Sequence, residues 1–385
     1  MKGRKLVLAL SLLPALAALL TTSCSSDRPV PIGVVLPLSG TDAMYGAPIL
    51  RGIELAAAEL APAITLEVLD SAGQPDQAAR QLAAAFDAGA PAAIGGVTTA
   101  EAEAMLPVLN ERERILISPF ASRDHLAADS PGFFRVCPTA FREGTKLANY
   151  ATQTLELTPL ASLEMGASDL MAAITTEVTR QGAEFVAQES ASSEEDLPGA
   201  AQRLLAASPQ GIFLAVNGSA LEAAVGALRD AGFEGFILTS SAFAAPQLVQ
   251  GERTEKVLFA RTVFDPADDA PPVQSFSQAY RERYGEDPEL LAAYGYDALR
   301  VLALGLAEKG RLPGELRKGI RALEGTPGVS GPMQFDEKGN AAKFPRVYAV
   351  EAGQVVDYED FRQRRLKELR ERYNQLLQEQ SRRGG

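Results

Sequence analysis

The residues best suited to bind a ligand lie in the stretch GGVTTAE, residues 95–101. Thr98 followed three residues later by Glu101 is the capping-box pattern of a helix start. A helix N-terminus exposes free backbone N–H groups at the positive end of the helix dipole, and both favour a carboxylate. The pattern predicts an anion site at this loop, in which Thr98 and Thr99 either contact the anion or serve only as caps.

The chain offers little of the chemistry that enzymes use. His125 is the single histidine among 385 residues, which excludes a histidine-cluster metal site and disfavours a histidine-based triad. Motifs for phosphate loops, serine hydrolases, zinc proteases and paired Cys-x-x-Cys sites do not occur in the sequence. Lys plus Arg number 37 against 49 Asp plus Glu, and this acidic balance disfavours binding to nucleic acid. We predict no enzyme, no cofactor, no metal and no nucleic-acid partner.

The N-terminal segment has the pattern of an export signal. Basic residues precede an apolar run, residues 6–20, which is shorter than the roughly 20 residues that a membrane-spanning helix needs. Small residues then lead to Cys24, as in bacterial lipoprotein signals. We predict a signal peptide over 1–23, lipidation of Cys24, a tether over 24–30 and an envelope protein anchored to a membrane. Simple secretion is the alternative.

From Pro31 onward, apolar runs of strand length alternate with long helical segments rich in alanine and leucine. Such alternation is typical of parallel sheets that helices cover on both faces. Two sets of similar size predict two α/β lobes. The strands are predicted at 32–38, 64–70, 92–97 and 115–120 in the first set and at 160–165, 184–189, 211–216 and 235–240 in the second.

Short connections carry the chain between the two sets more than once, at 136–140 and at 257–266. Several crossings build a multi-strand hinge that permits closure about one axis. In open parallel sheets ligands bind beyond the carboxyl ends of the strands, so the site is expected in the cleft between the lobes. The predicted units are a first lobe of 31–138 and 264–330, a second lobe of 139–263 and 331–357, and a charged C-terminal helix over 358–385.

An ordered set of segments resembles the type I periplasmic binding proteins of the leucine/isoleucine/valine-binding family. The segments include PIGVVLPLSGTDAMYGAPILRGIELAAAEL, ILISPFAS, FFRVCPT, GALRDAGFEGFILTSS, AYGYDALRVL and GVSGPMQFDEKGN. The resemblance covers residues 31–357. It implies two Rossmann-like lobes around a hinged cleft, capture of a small solute and delivery to an ABC-type permease.

The resemblance also implies which first-lobe residues face the ligand. Tyr45 matches an aromatic residue beside the ligand side chain, and Thr99 matches a hydroxyl that binds the ligand carboxylate. Phe120 and Ser122 match a backbone carbonyl and a hydroxyl that hold its amino or carboxylate group. The predicted first-lobe site comprises Ser39, Tyr45, Thr98, Thr99, Phe120, Ala121 and Ser122.

The second lobe departs from the family pattern. Amino-acid binders place an acidic residue near the start of the loop that here reads TSSAFAAPQL, to pair with the ligand ammonium, and Ser241 stands at that position. An enclosed ammonium without a counter-charge would cost several kcal/mol. Either Asp169 supplies the charge, or the ligand lacks an α-ammonium, which we favour, or solute binding is lost. Asn217 completes the predicted second-lobe site.

The last segment extends beyond the resemblance. Residues 362–383 hold eight basic and three acidic residues, and Leu366, Leu369, Tyr373 and Leu376 recur at helical spacing. We interpret the chain as an exported, lipid-anchored binding protein for a small carboxylate-bearing ligand, an amino acid or a related organic acid or amide, with an ABC permease as partner. The alternative is a non-transport envelope lipoprotein that uses the C-terminal helix as a partner-binding module.

Overall fold

Two large β-sheets, each covered by helices, organise the chain. The computed structural model of the protein describes residues 29–60, 63–128, 130–166, 168–216, 220–244, 246–250 and 253–383. The predicted signal peptide, Cys24 and Asn217 lie outside the described residues.

The first sheet is parallel throughout and has five strands. Nearly every residue of its central strands is buried, because helices cover both faces of the sheet. The elements are β1 (Val30–Leu36), α1 (Ala43–Leu60), β2 (Ile64–Asp70), α2 (Pro75–Asp87), β3 (Ala92–Gly95), α3 (Thr99–Glu111), β4 (Ile115–Ser118) and β5 (Phe133–Arg135). Their spatial order is β2-β1-β3-β4-β5.

The second sheet begins after the chain leaves β5. Its first five strands run parallel to one another. The elements are α4 (Ala140–Asn149), β6 (Leu160–Glu164), α5 (Asp169–Arg180), β7 (Phe185–Ser190), α6 (Leu197–Leu205), β8 (Gly211–Ala215), α7 (Leu221–Asp230), β9 (Phe236–Thr239), α8 (Pro246–Val249) and β10 (Val257–Arg261).

The chain then returns to the first sheet and crosses back once more. Helices α9 (Pro271–Tyr284), α10 (Leu290–Lys309) and α11 (Pro313–Arg321) precede a short ladder of β11 (Pro327–Gly328) and β12 (Gly331–Pro332). Strands β13 (Arg346–Glu351) and β14 (Gln354–Asp357) extend the second sheet beyond β10, in the order β14-β13-β10-β9-β8-β6-β7. Strand β13 runs antiparallel to β10, and β14 runs antiparallel to β13. Helix α12 (Tyr358–Arg383) ends the described chain.

Helices α1 and α10 cross with their backbones in contact, which fixes the later segment to the first sheet. A Cβ atom on Gly295 would lie 2.1 Å from the Ile49 carbonyl oxygen, and one on Gly52 would lie 1.8 Å from the Ala292 carbonyl oxygen. Only glycine permits such an approach. By length and composition α10 could cross a membrane, but 72% of its apolar 18-residue stretch is buried inside the protein.

The predicted fold class is confirmed: two α/β lobes with parallel sheets, joined by several crossings and followed by a C-terminal helix. The exact lobe boundaries stay a prediction. After the last crossing, a tight turn at 352–353 joins β13 to β14. The two strands are antiparallel because so short a turn can join only antiparallel neighbours.

Candidate ligand-binding cleft

A cavity of about 260 Å³ lies between the loops at the carboxyl ends of the two sheets. Tyr45 of α1 and Phe120, which follows β4, form one wall, with ring centroids 5.7 Å apart. Ser241 and Ala242, which follow β9, line the cavity from the second lobe. The Tyr45 hydroxyl donates to the Ala242 carbonyl oxygen at 3.4 Å. The two lobes therefore touch across the cleft and leave a chamber beside the contact.

The structure brings three of the predicted residues together at this cavity. They are Tyr45, Phe120 and Ser241. Tyr45 is almost completely buried, and burial raises the pKa of its hydroxyl. At neutral pH it is a neutral donor on an otherwise aromatic wall.

Arg261, at the end of β10, lines the same cavity and was not predicted. Its guanidinium stacks over the Tyr348 ring, 4.4 Å from the ring centroid. Its Nε is buried and has no hydrogen-bond partner within the described chain. Burial lowers the pKa of Arg261, but a guanidinium stays cationic at neutral pH. Glu289 also lines the cavity and has a pKa raised by burial.

The N-terminus of α3 has the predicted capping box. The Thr98 hydroxyl accepts from Glu101 N, and the Glu101 carboxylate accepts from Thr98 N, each at 3.2 Å. Within the described residues no acceptor is hydrogen-bonded to the N–H groups of Thr99 and Ala100. Burial raises the pKa of the Glu101 carboxyl, and nearby Asp42 raises it further. Two acidic groups at this helix end weaken its attraction for an anion.

Other predicted first-lobe groups are engaged by the protein itself. The exposed Ser39 hydroxyl donates to Asp70 Oδ2 at 2.7 Å. The Ala121 carbonyl accepts from the Arg135 side chain at 3.0 Å. The backbone carbonyl of Ser122 accepts from Ala140 N at 2.8 Å, which joins the β4 loop to the start of α4.

Asp169 does not reach the cavity. It is the first residue of α5, and its carboxylate accepts from the backbone N–H of Asp124 at 2.8 Å. Arg123 Nε lies 3.9 Å from the same carboxylate. Asp169 therefore links the second lobe to the loop that follows β4 rather than facing the space beside Ser241.

Glu143 is the acidic group that does lie at Ser241, and sequence reasoning missed it. Ser241 Oγ donates to Glu143 Oε1 at 2.7 Å. Glu143 stands in the first turn of α4 and is 2% exposed. Burial raises the pKa of its carboxyl to about 8. The only available signal was an acid early in a helix capped by Thr139, a pattern that also fits a solvated residue.

Comparison with known proteins places the chain among solute-binding proteins. A family model described as periplasmic binding protein matches residues 29–354. A Leu/Ile/Val-binding protein homologue of Brucella melitensis is 26% identical over 150 residues, which span 37% of this chain and 41% of that protein. The leucine-binding protein LivK of Thermotoga maritima has a TM-score of 0.80 at 26% identity over 85% of this chain and 97% of its own. A solute-binding protein of R. palustris in complex with benzoate has a TM-score of 0.73 at 18% identity, covering 86% and 95%.

Proposed function

Because the chain belongs to the periplasmic binding protein family, we propose that it captures a small carboxylate-bearing ligand between its lobes and delivers it to an ABC permease. A solute-binding role is what the family performs, and the protein is not an enzyme. The finer points of this proposal are the carboxylate, the residues that hold it and the lipid anchor.

The observation that carries the proposal is a cation in an aromatic chamber. Arg261 lines the space beside Tyr45 and Phe120, and its guanidinium lies over the Tyr348 ring. Glu289 of the same cavity is an acid that acts on it. A buried charge must be paired to offset the loss of water, and a guanidinium pairs best with a planar carboxylate. Since a cavity of about 150 Å³ can hold benzene, the 260 Å³ found here admits a six-carbon acid.

The relatives support a carboxylate ligand without fixing its class. The solved relatives described above are a leucine-binding protein and a protein in complex with benzoate, and both ligands carry a carboxylate. Thr99, Ser122 and the free N–H groups of α3 remain the second place where that carboxylate could bind. Arg261 is favoured because it brings a full positive charge, with Glu289 acting on it, whereas the N-terminus of α3 has only its partial charge and lies near Asp42 and Glu101.

A thermal-shift screen of ligand-free protein tests the proposal. The panel contains amino acids, aliphatic acids, aromatic acids and amides. A tight ligand at a thousandfold excess over Kd stabilises the folded protein by about 4 kcal/mol. A panel in which no member raises Tm refutes solute capture by this cleft.

Three variants then locate the carboxylate of any hit. Arg261→Gln should weaken binding about 10- to 150-fold, the range for losing a hydrogen bond to a charged group. Arg253→Gln is the matched control, because Arg253 pairs with Asp230 on the surface of the same lobe. If the double variant Thr99→Ala/Ser122→Ala abolishes binding while Arg261→Gln does not, the carboxylate lies at α3 and the Arg261 assignment is wrong.

The proposed anchor rests on the N-terminal pattern alone. Acyl chains on Cys24 would hold the protein at a membrane surface, since each buried methylene contributes about 0.8 kcal/mol. We expect the wild-type protein to fractionate with membranes and Cys24→Ser to appear in the soluble envelope fraction. If the wild-type protein and Cys24→Ser both appear in the soluble envelope fraction, simple secretion is the better account.

One observation favours the alternative of a partner-binding module. A groove of about 450 Å³ runs between α12 and α4, and the Tyr150 hydroxyl in it is buried without a hydrogen-bond partner in the described chain. The apolar side chains of Leu366 and Leu369 are more than half exposed beside it. The groove is lined by Lys146, Tyr150, Thr154, Glu359, Arg362, Gln363, Leu366, Lys367 and Arg370. This excess of basic groups suits an acidic partner surface.

A truncation separates the two roles. Ending the chain after Arg365 removes most of α12 but keeps Tyr358, whose ring packs against Tyr150 and Phe236. Solute binding should be unchanged by this truncation. A partner-binding role predicts loss of binding to anionic vesicles or a change in oligomeric mass, and no change in either would eliminate it.

A further inference from the structure

Helix α12 has a long surface that nothing in the described chain covers. Its first turn is held to the second lobe, where the Arg346 side chain donates to Asp360 Oδ1 at 2.9 Å and the Tyr358 ring packs against Tyr150. Beyond that turn every residue from 363 to 375 is exposed. At 1.5 Å per residue this stretch is about 20 Å long, enough for an interaction surface.

The exposed stretch has one apolar face. The side chains of Leu366, Leu369 and Tyr373 are each more than half exposed. With 3.6 residues per turn, these three positions lie within about 60° of one another around the helix axis. By the same spacing Glu368 and Glu371 lie on the opposite side. The helix therefore separates its apolar positions from its acidic ones.

Arginines border the apolar face on both sides. Arg370 lies at one edge, and Arg365 and Arg372 lie at the other. Arg365 has an exposed acid, Glu368, at 3.8 Å, whereas no acid of the described chain forms an ion pair with Arg370 or Arg372. Residues 362–383 hold eight basic and three acidic residues, a local charge of +5 in a chain whose formal charge is −12. These positive charges are available to an anionic surface.

The groove of about 450 Å³ between α12 and α4 adds to this charge. The cations that line it are Lys146, Arg362, Lys367 and Arg370. Glu359, the one acid among its lining residues, already lies 2.7 Å from Lys146 and leaves the other three cations without an acid of their own in the described chain. Because Arg370 belongs both to the groove and to the edge of the apolar face, the two form one continuous surface.

The charge pattern disfavours a second copy of the helix as the partner. Apolar positions spaced by three and four residues are typical of a coiled-coil seam. When two helices pack along such a seam, the positions that border it face each other in parallel and in antiparallel pairs. Here those positions are Arg365, Arg370 and Arg372. Two copies would place like charges together, which opposes pairing.

We propose that the exposed length of α12 lies on an anionic lipid surface, with Leu366, Leu369 and Tyr373 among the acyl chains and the bordering arginines on lipid phosphates. An apolar centre, basic edges and an acidic far side are the arrangement of helices that lie in a membrane interface. Acyl chains on Cys24 would keep α12 close to the membrane and raise its effective concentration there. The inference concerns a surface outside the cleft, so it goes beyond solute capture and does not depend on it.

Vesicle sedimentation tests the proposal. The protein is the chain from residue 24 onward with Cys24→Ser, so that no acyl chain contributes to binding. We expect partitioning to mixed phosphatidylcholine and phosphatidylglycerol vesicles to exceed partitioning to phosphatidylcholine alone at least 25-fold at low salt, and high salt to reduce this preference.

Two arginine variants of equal charge show whether α12 carries the binding. Arg370→Gln combined with Arg372→Gln should weaken partitioning to the mixed vesicles about 25-fold, since each basic residue near an anionic surface is worth about a factor of five. Arg203→Gln combined with Arg253→Gln is the matched control, because both arginines are exposed on the same lobe but pair with acids outside α12. The control should bind within twofold of the parent protein.

A tryptophan reporter distinguishes insertion from electrostatic contact alone. The chain contains no tryptophan, so Tyr373→Trp introduces a single indole on the apolar face. Its emission should move to shorter wavelength on the mixed vesicles and should be quenched by lipids brominated in their acyl chains. Leu312→Trp, at an exposed apolar position before α11, should show neither effect. Leu366→Gln combined with Leu369→Gln leaves the charge unchanged and should weaken partitioning more than about tenfold.

Three results would each overturn the proposal. The first is equal partitioning to both kinds of vesicle, and the second is a leucine double variant that partitions like the parent protein. The third is a dimer in sedimentation velocity that the leucine double variant converts to a monomer, which would make a second copy the partner. An acidic protein as the partner predicts no change in the Tyr373→Trp emission on vesicles. The thermal-shift screen measures the cleft instead, so failure of this inference and failure of solute capture are told apart.

Discussion

Replacing Glu143 by glutamine should stabilise the empty protein, and the gain should grow with pH. The carboxyl titrates at about 8 in the folded protein against 4.5 for the free group. Each tenfold difference in proton affinity is worth about 1.36 kcal/mol. Ionisation of Glu143 therefore opposes folding by about 5 kcal/mol above pH 8 and by about 3 kcal/mol at pH 7.

The sign follows from the direction of the pKa change. A carboxyl whose folded pKa lies above its unfolded value gives its full stabilisation below pH 4.5 and loses it as the pH rises to about 8. The free energy of unfolding of Glu143→Gln minus that of the wild type should therefore be smallest near pH 4.5 and should rise by about 1.4 kcal/mol per pH unit up to pH 8.

Urea unfolding of both proteins at pH 5, 6, 7, 8 and 9 measures this difference. Glu177→Gln serves as the control of opposite character, because the Arg180 side chain lowers the pKa of Glu177 to about 2. Above pH 5 the Glu177 contribution should be constant. A Glu143→Gln difference that is flat with pH, or a wild type that is the more stable protein at pH 8, would refute the claim that Glu143 is an unpaired buried acid.

Three further perturbations test the framework around the cleft. Gly295→Ala should destabilise the protein by roughly 1–3 kcal/mol or more in urea unfolding, because the new Cβ meets the Ile49 carbonyl and must push α1 from α10. Asp297→Asn should cost about 3–5 kcal/mol by the same assay, since it leaves the buried Lys343 ammonium, 3.8 Å away, without its partner. Adding Lys343→Met to that variant should recover part of the loss. Ending the chain after Arg365 should change the free energy of unfolding by less than about 0.5 kcal/mol, because the removed side chains that the structure describes are exposed.

The architecture could be predicted because it depends on local pattern. Each strand predicted in the two sets overlaps an observed strand, since fully buried parallel strands are continuous apolar runs. The capping box at Thr98 was predicted for the same reason, because its two partners are three residues apart. Tyr45 and Phe120 were placed by resemblance, and the structure brings their rings together.

The charges of the cleft could not be predicted, because they come from distant parts of the chain. Glu143 and Ser241 are 98 positions apart, and no local pattern reports that contact. Arg261 ends a strand, where a cation normally reaches solvent. Its position over the Tyr348 ring and in one cavity wall with Phe264 arises only in the folded chain. The sequence offered Asp169 as the counter-charge because it stands in the neighbouring second-lobe loop, after the strand at 160–165. In the structure its carboxylate accepts from Asp124 N instead.

The charge of Arg261 makes the proposed site select for acids. Arg261 cannot release its proton at neutral pH, and Glu289, which lines the same cavity and has a pKa raised by burial, is an acid that acts on it. A ligand carboxylate would give the guanidinium a second, planar partner. A carboxylate should therefore bind more tightly than the amine of the same carbon skeleton, which would add a second positive charge to the chamber. Equal affinity for the amine and the carboxylate would contradict this electrostatic account of the cleft.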